Sequence, residues 1–329
     1  MNLWYIQTTS SSLSNPLNWW RDSGGTIAHG AVPTSSDDCF IEGDETIDGG
    51  TLDCNSLYVS ANNCMFGASG SPTINCVGTV DFLNSSYMDG GTLNCTALNI
   101  ENGNFYQGGV PALVVNIGTA CTISGTGGIN GGTWNNTDAA TLYLDGSSAG
   151  IGDGIFNIEV SHYAGVISAG TFNEKVYGGN EITGGIFNGP IEGQLLLHGG
   201  QFHDTVGVLG VPFQGEFDGC HIYGDVYTDT ANFVSGQFDG TVVIANSFPN
   251  VTGGYFTHKI ALDAYEVLTG YFSGTYFADS CAISWDGGIT YRYPVTNSDV
   301  AAASDVRDGV FNLGVEGTLG GGTVTLEIG

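Results

Sequence analysis

Apolar and polar residues alternate along this chain in short runs, as in Phe172-Asn173-Glu174-Lys175-Val176-Tyr177 and Phe238-Asp239-Gly240-Thr241-Val242-Val243-Ile244. A period of two over such runs predicts strands with one buried and one solvated face. Each run opens on an aromatic, passes a polar or glycine step and continues as an apolar strand. Steps such as Asn188-Gly189 and Asp218-Gly219 supply the positive φ that a sharp corner requires. The unit therefore reads as strand, corner, strand, corner.

These units recur in a cadence of glycine, one variable residue and an aromatic. The aromatics are Trp134, Phe156, Phe172, Phe187, Phe202, Phe217, Phe238, Phe256 and Phe272, separated by 22, 16, 15, 15, 15, 21, 18 and 16 residues. That spacing is too short for a propeller blade or a helical hairpin and suits one coil of a chain winding round an axis. One coil cannot bury its inner face, so its neighbours must stack on it. The expectation is an all-β fold, a single-stranded right-handed parallel β-helix, or β-solenoid. Phe156, Phe172, Phe187, Phe202, Phe217, Phe238, Phe256 and Phe272 form its inward ladder.

Cysteine extends the pattern towards the N-terminus. Four of the eight cysteines close similar runs, Thr51-Leu52-Asp53-Cys54, Thr73-Ile74-Asn75-Cys76, Thr92-Leu93-Asn94-Cys95 and Thr119-Ala120-Cys121, at separations of 22, 19 and 26 residues. Cys54, Cys76, Cys95 and Cys121 read as equivalent positions stacked up the core as small buried thiols. Disulfides between coils are the alternative. Zinc is disfavoured because no cysteine pair has the close spacing of such sites.

The ends read differently. Residues 1–36 hold Trp4, Trp19 and Trp20 and are expected to form an aromatic cap, 37–280 the solenoid shaft, and 281–329 a small C-terminal β module for capping or assembly. Ser284 to Tyr293 reads as a hairpin about Asp286-Gly287, and Thr323 to Ile328 as a last strand. Trp4, Trp19, Trp20, Trp285, Tyr291, Arg292, Arg307 and Phe311 are the candidate assembly contacts, since Trp, Tyr and Arg dominate interface energetics.

Charge narrows the partners. Against 33 acids stand five bases, for a net charge of −28, so nucleic acid is not an expected partner. Residues 1–20 lack the basic start and apolar core of a secretory signal, and no stretch is long enough to cross a bilayer. Folding in a cytoplasm without membrane insertion is the expectation. Asp37, Asp38, Asp218, Asp225 and Asp229 offer oxygen ligands of the kind a structural calcium ion takes, but no spacing matches a calcium loop. No cofactor is expected.

Catalysis finds little support in the residues. Cys220 and His221 are adjacent on a strand and point to opposite faces, which prevents a nucleophile and base pair. Glu216, Asp218, Asp225 and Asp239 sit in corner or strand positions of a kind usually solvated, and the scarcity of Lys and Arg leaves few groups to anchor an acidic sugar. Exposed Tyr223, Tyr227, Tyr255 and Tyr271 would stack on a neutral glycan.

Both ends resemble a known group. Asn15-Pro16-Leu17-Asn18-Trp19-Trp20, Ser23-Gly24-Gly25 and Pro33-Thr34-Ser35-Ser36-Asp37-Asp38-Cys39-Phe40-Ile41 are similar to the start of glycine-rich β-solenoid proteins of phage virions and of large bacterial surface proteins. Ser304-Asp305-Val306-Arg307-Asp308-Gly309-Val310-Phe311 with Gly317-Thr318-Leu319 resembles a short module that ends many such chains. The resemblance covers about 60 residues at the ends together with the style of the middle, and it carries no catalytic residue. It implies a non-enzymatic structural or attachment protein of a bacteriophage, a fibre, spike or capsid decoration. Such a protein would be assembled in the host cytoplasm as a homo-oligomer, by analogy a trimer, with other virion proteins and a host surface glycan as partners. A bacterial extracellular or cell-surface adhesin or filament subunit is the first alternative. A glycan-binding or glycan-cleaving spike is the second.

Overall fold

The structure is a computed structural model. It describes residues 1–7, 11–107, 112–208, 211–245 and 250–262, and beyond them the strands Tyr271–Phe272, Tyr276–Phe277, Ala282–Ser284, Phe311–Asn312 and Val315–Glu316. The fold is all-β, a β-solenoid of parallel stacked strands. Two compact units divide the chain, residues 1–180 and 181–329.

In the first unit, from Asp38 onward, each coil passes through three strands, each pairing in parallel with its counterpart one coil on. Three inward files result. The first is Leu52, Ile74, Leu93, Val115, Trp134, Phe156 and Phe172. The second runs Leu3, Cys39, Leu57, Val80, Leu98, Cys121, Leu142, Val160 and Val176. The third is Ile47, Phe66, Met88, Phe105, Ile129, Ile151 and Ile167. All 23 side chains are fully buried, and this continuous apolar column is the main source of stability.

The expected coil of two strands is corrected to three. The strand of the third file is often only two residues long, as at Thr46–Ile47, Met65–Phe66 and Tyr87–Met88, too short for alternation to be read. Conversely, Gly91–Glu101 and Leu113–Ser124 pass through the bend between the first two files as single strands.

The glycine of the cadence has a steric cause. Gly170 sits at φ +117°, where an added Cβ would lie 3.2 Å from the rings of both Phe156 and Phe172. Gly254, at φ +114°, stands in the same way against Phe238 and Phe256. Its absent side chain leaves room for two successive rings to stack.

The second unit is built alike. Phe187, Phe202, Ile222, Phe238 and Phe256 form one buried file, which the backbone register continues to Phe277. Ile182, Leu197, Phe217, Phe233 and Val251 form another, continued in register by Phe272. Ile191, Val206, Val226, Val242 and Ile260 form the third.

The single aromatic ladder is therefore corrected. Phe217 and Phe272 lie on a different file from Phe187, Phe202, Phe238 and Phe256, and Ile222 is the rung between Phe202 and Phe238. The chain makes two coils between Phe202 and Phe238, and Phe217 ends a strand before the Asp218-Gly219 corner. Coils of variable length bring a glycine-x-aromatic triplet to more than one side.

At the N-terminus, Asn2–Tyr5 pairs in parallel with Asp38–Ile41 and antiparallel with Trp19–Trp20. An antiparallel strand thus occupies the outer edge of an otherwise parallel stack, which removes a row of unpaired backbone groups. Trp19 is buried, its ring edge-on to Tyr5 at 5.2 Å and its Nε1 donating to the Leu13 carbonyl at 2.9 Å. The proposed hairpin turn after Ser284 and the last strand at 323–328 lie outside the described residues.

Candidate functional site

The first file of the first unit carries a second, outward file one residue on: Asp53, Asn75, Asn94, Asn116, Asn135, Asn157 and Asn173. Each asparagine Nδ2 donates to the Oδ1 of the rung one coil earlier, at 2.8, 2.7, 2.7, 2.9, 2.9 and 2.6 Å in chain order. The chain of bonds runs one way and ends on the Asp53 carboxylate, which accepts. An amide is suited to this because it donates from one end and accepts at the other. The signal in the sequence is an asparagine directly after each inward apolar residue, Ile74-Asn75 through Phe172-Asn173.

The cysteines cluster beside this ladder. Cys54 pairs with Cys76 in register, and Cys95 follows Asn94, the partner of Asn75. Cys121 is not equivalent to them. It faces Leu98 in the second file, while Ile117 takes the place over Cys95. Thr119-Ala120-Cys121 is one residue shorter than the other three motifs and belongs to the next strand segment.

The seven described cysteines, Cys39, Cys54, Cys64, Cys76, Cys95, Cys121 and Cys220, are free and buried. Hydrogen bonding to Cys39 and burial push the Cys54 thiol far up. The Cys54 contact and burial do the same to Cys76. Burial raises Cys64, Cys95 and Cys220 to about 12 and Cys121 well above its ordinary value. Such thiols are neither nucleophiles nor thiolate ligands at neutral pH.

Two outward histidine arrangements mark the second unit. His198 lies between two carboxylates, Nδ1 3.0 Å from Glu181 Oε1 and Nε2 3.2 Å from Glu216 Oε1. Burial opposes its charge, but the bonds to Glu181 and Glu216 outweigh it and raise its pKa. Farther on, His221 Nε2 meets Asp239 Oδ2 at 2.7 Å. Burial alone would raise Asp239, yet hydrogen bonds from Gln237, His221 and Thr257 hold it below the usual carboxylate range. Tyr223 stacks between His203 at 4.5 Å and His221 at 3.8 Å. Cys220 points into the core and His221 outwards.

The candidate calcium ligands are engaged by donors of the chain. Asp37 accepts from Thr34 and lies 3.2 Å from the N-terminal ammonium, and Asp38 accepts from Asn55 and Ser56. Asp218 accepts from Ser235, Asp225 from the Thr241 backbone, and Asp229 from Thr230. Among the described residues no group of three or more His, Cys, Asp or Glu is arranged to hold a metal ion.

Of the candidate assembly residues, Trp4 and Trp20 are half-buried neighbours in register, and Trp4 stacks on Phe40 at 5.1 Å. Phe311 lies in the strand Phe311–Asn312, antiparallel to Val315–Glu316. Trp285, Tyr291, Arg292 and Arg307 lie outside the described residues. Tyr223 and Tyr255 are exposed and Tyr227 half-buried; the side chain of Tyr271 is not described.

Two of the grooves among the described residues of the first unit bear on these side chains. One, of about 590 Å³, has the amides of Asn75, Asn94 and Asn116 for a floor, with Asp53 at one end and Thr34, Val77 and Thr96 beside it. Each of its amides already donates one bond and accepts one within the ladder. The other, of about 390 Å³, lies outside the third file, where Gly128, Gly150 and Gly152 leave the sheet bare and Asn104, Asn130, Ser147 and Ser148 line the sides.

Fold and surface together define a parallel β-solenoid with three strands per coil and an outward asparagine ladder. Comparison with family models, with curated proteins and with solved structures finds no match for this chain.

Proposed function

We propose that this chain is a non-enzymatic structural or attachment component of a virion, of the fibre, spike or capsid-decorating kind. It assembles in the host cytoplasm and works as a homo-oligomer with other particle proteins. The observation that carries this reading is the asparagine ladder. Seven successive outward rungs satisfy one another across coils, so the polar groups of that face lock the coils instead of meeting a substrate. Each bond is worth about 0.5–1.5 kcal/mol, and in series they resist unwinding, which suits a protein displayed outside a cell. The acidic surface supports the same reading by discouraging lateral strand pairing. The resemblance read in the sequence of both chain ends points in the same direction.

Mass spectrometry of purified particles from the source tests the reading. Recovery in stoichiometric amount with other particle proteins is expected. Recovery only from the cell envelope or the culture filtrate would overturn it in favour of an adhesin.

A further inference from the structure

We propose that the smaller groove of the first unit binds a neutral oligosaccharide. Its origin lies in the register. Gly128 pairs with Gly150 and Gly150 with Val166, so the outward file lacks side chains on two successive coils while Ile129 and Ile151 keep the core beneath it full. The opening spans two coil spacings, about 10 Å along the stack. At about 390 Å³ the groove lies within the size range of small-ligand sites.

Its walls differ from the ladder face in a decisive way. There each asparagine is held by its neighbours. Here the amides of Asn104 and Asn130 make no hydrogen bond to other described residues, although Asn104 is half-buried. Each lies close over a glycine. A Cβ on Gly128 would sit 3.0 Å from Asn104 Oδ1, and one on Gly152 would collide with Asn130 Oδ1. The bare floor and the two amides are therefore one arrangement. Ser147 and Ser148 add exposed hydroxyls at the rim. Tyr106, the residue after Phe105, faces Asn130 in register, is 38% exposed and meets Tyr87 edge-on at 6.3 Å.

Paired donors and acceptors on amides and hydroxyls match the hydroxyls of a sugar ring, and Tyr106, which neighbours Asn130 in register but does not itself line the groove, offers an aromatic face to the apolar C–H groups. Charge selects among sugars. None of the groove's lining residues is charged, in a chain of net charge −28. A uronic or sialic acid would enter a repulsive field with no cation to receive it, whereas a neutral sugar brings no charge to desolvate. The inference goes beyond the proposed function and does not rest on it, because a cell-surface solenoid would present the same groove.

The test is titration calorimetry of the full chain with cellohexaose, maltohexaose, chitohexaose and, as a charged control, hexagalacturonate. Saturable binding of at least one neutral probe is expected. It should weaken at least about tenfold in Asn130→Ala, which removes one amide, and in Gly150→Phe, which fills the groove. Gly150 has room for a side chain, since a Cβ there meets only the Val166 carbonyl at 3.4 Å. Should Gly150→Phe not fold, exposed Asn130→Ala carries the comparison alone. Absence of binding by every neutral probe at millimolar concentration overturns the proposal. So does binding unchanged in the folded variants, or tighter binding of hexagalacturonate. A negative result here leaves the particle assignment standing, and absence from particles leaves a positive result here standing.

Discussion

Replacing Asn116, a middle rung of the ladder, separates a mechanical role for these amides from a decorative one. Asn116 donates to Asn94 Oδ1 at 2.7 Å and accepts from Asn135 Nδ2 at 2.9 Å. Asn116→Ala removes both bonds. At about 0.5–1.5 kcal/mol each they sum to about 1–3 kcal/mol. Asn116 is only half-buried, so water takes over some of the lost bonding and the lower half, about 1–2 kcal/mol, is expected. Asn116→Asp is more telling. Its carboxylate still accepts from Asn135 but faces Asn94 Oδ1 with no proton between two acceptors, so at neutral pH it should cost more than alanine. Protonation restores a donor, and the loss should shrink below about pH 4. Asn130→Ala, outside the ladder, is the control. Native-state hydrogen exchange of the strand Leu113–Ser124 reads the local opening, with thermal denaturation for the whole chain. Both Asn116 variants falling within about 0.5 kcal/mol of the control would refute the reasoning.

Three further outcomes follow from the core and the charged groups. Phe202 is fully buried and stacked on Phe187 at 4.8 Å, so Phe202→Ala should cost about 3–5 kcal/mol and Ile222→Ala, the next rung, about 2–5; chemical denaturation showing under about 1 kcal/mol for either would contradict the file assignment. The seven described cysteines should resist a maleimide in the native protein and all react after denaturation, as read by peptide mass spectrometry; native labelling of Cys54, Cys76 or Cys95 would disprove their burial. His198 has a folded pKa above its ordinary value of about 6.5, so its bridge to Glu181 and Glu216 stabilises fully below that value and weakens as pH rises through the folded pKa. His198→Gln should therefore be less stable than the parent at about pH 5.5, with the gap closing by about pH 8.5; a gap that widens with pH reverses the assignment.

Much of the fold was legible because the solenoid repeats one local arrangement. Alternation marked the strands and the glycine-x-aromatic triplet marked the coils. Gly170 and Gly254 explain the triplet, since a ring stacking on its predecessor leaves no space for a Cβ. The failures have one source. Phe217 carries the same triplet as Phe202 but faces another file, and Cys121 carries a motif like that of Cys95 but stands over Leu98. A triplet records that a strand lies nearby, not which side of the coil the strand occupies.

The candidate sites were less legible. The ladder consists of asparagines about one coil apart in sequence, and only the stacking of Asn75 on Asp53 and Asn94 on Asn75 turns them into a bonded series. His198 gave no signal, because Glu181 and Glu216 lie 17 and 18 residues away and meet it only across coils.

The sequence alone determined that this chain winds into a parallel β-solenoid with an apolar interior, since period-two patterning and glycine corners depend on neighbours along the chain. Only the tertiary structure decided how many strands make a coil, which residues share a file, and which amides are bound and which open. Those depend on register across coils, which spacing along the chain does not fix: the bend from Ile117 to Ala120 holds one residue more than that from Cys95 to Ala97, yet the extra residue is absorbed there and Cys121 still meets Leu98.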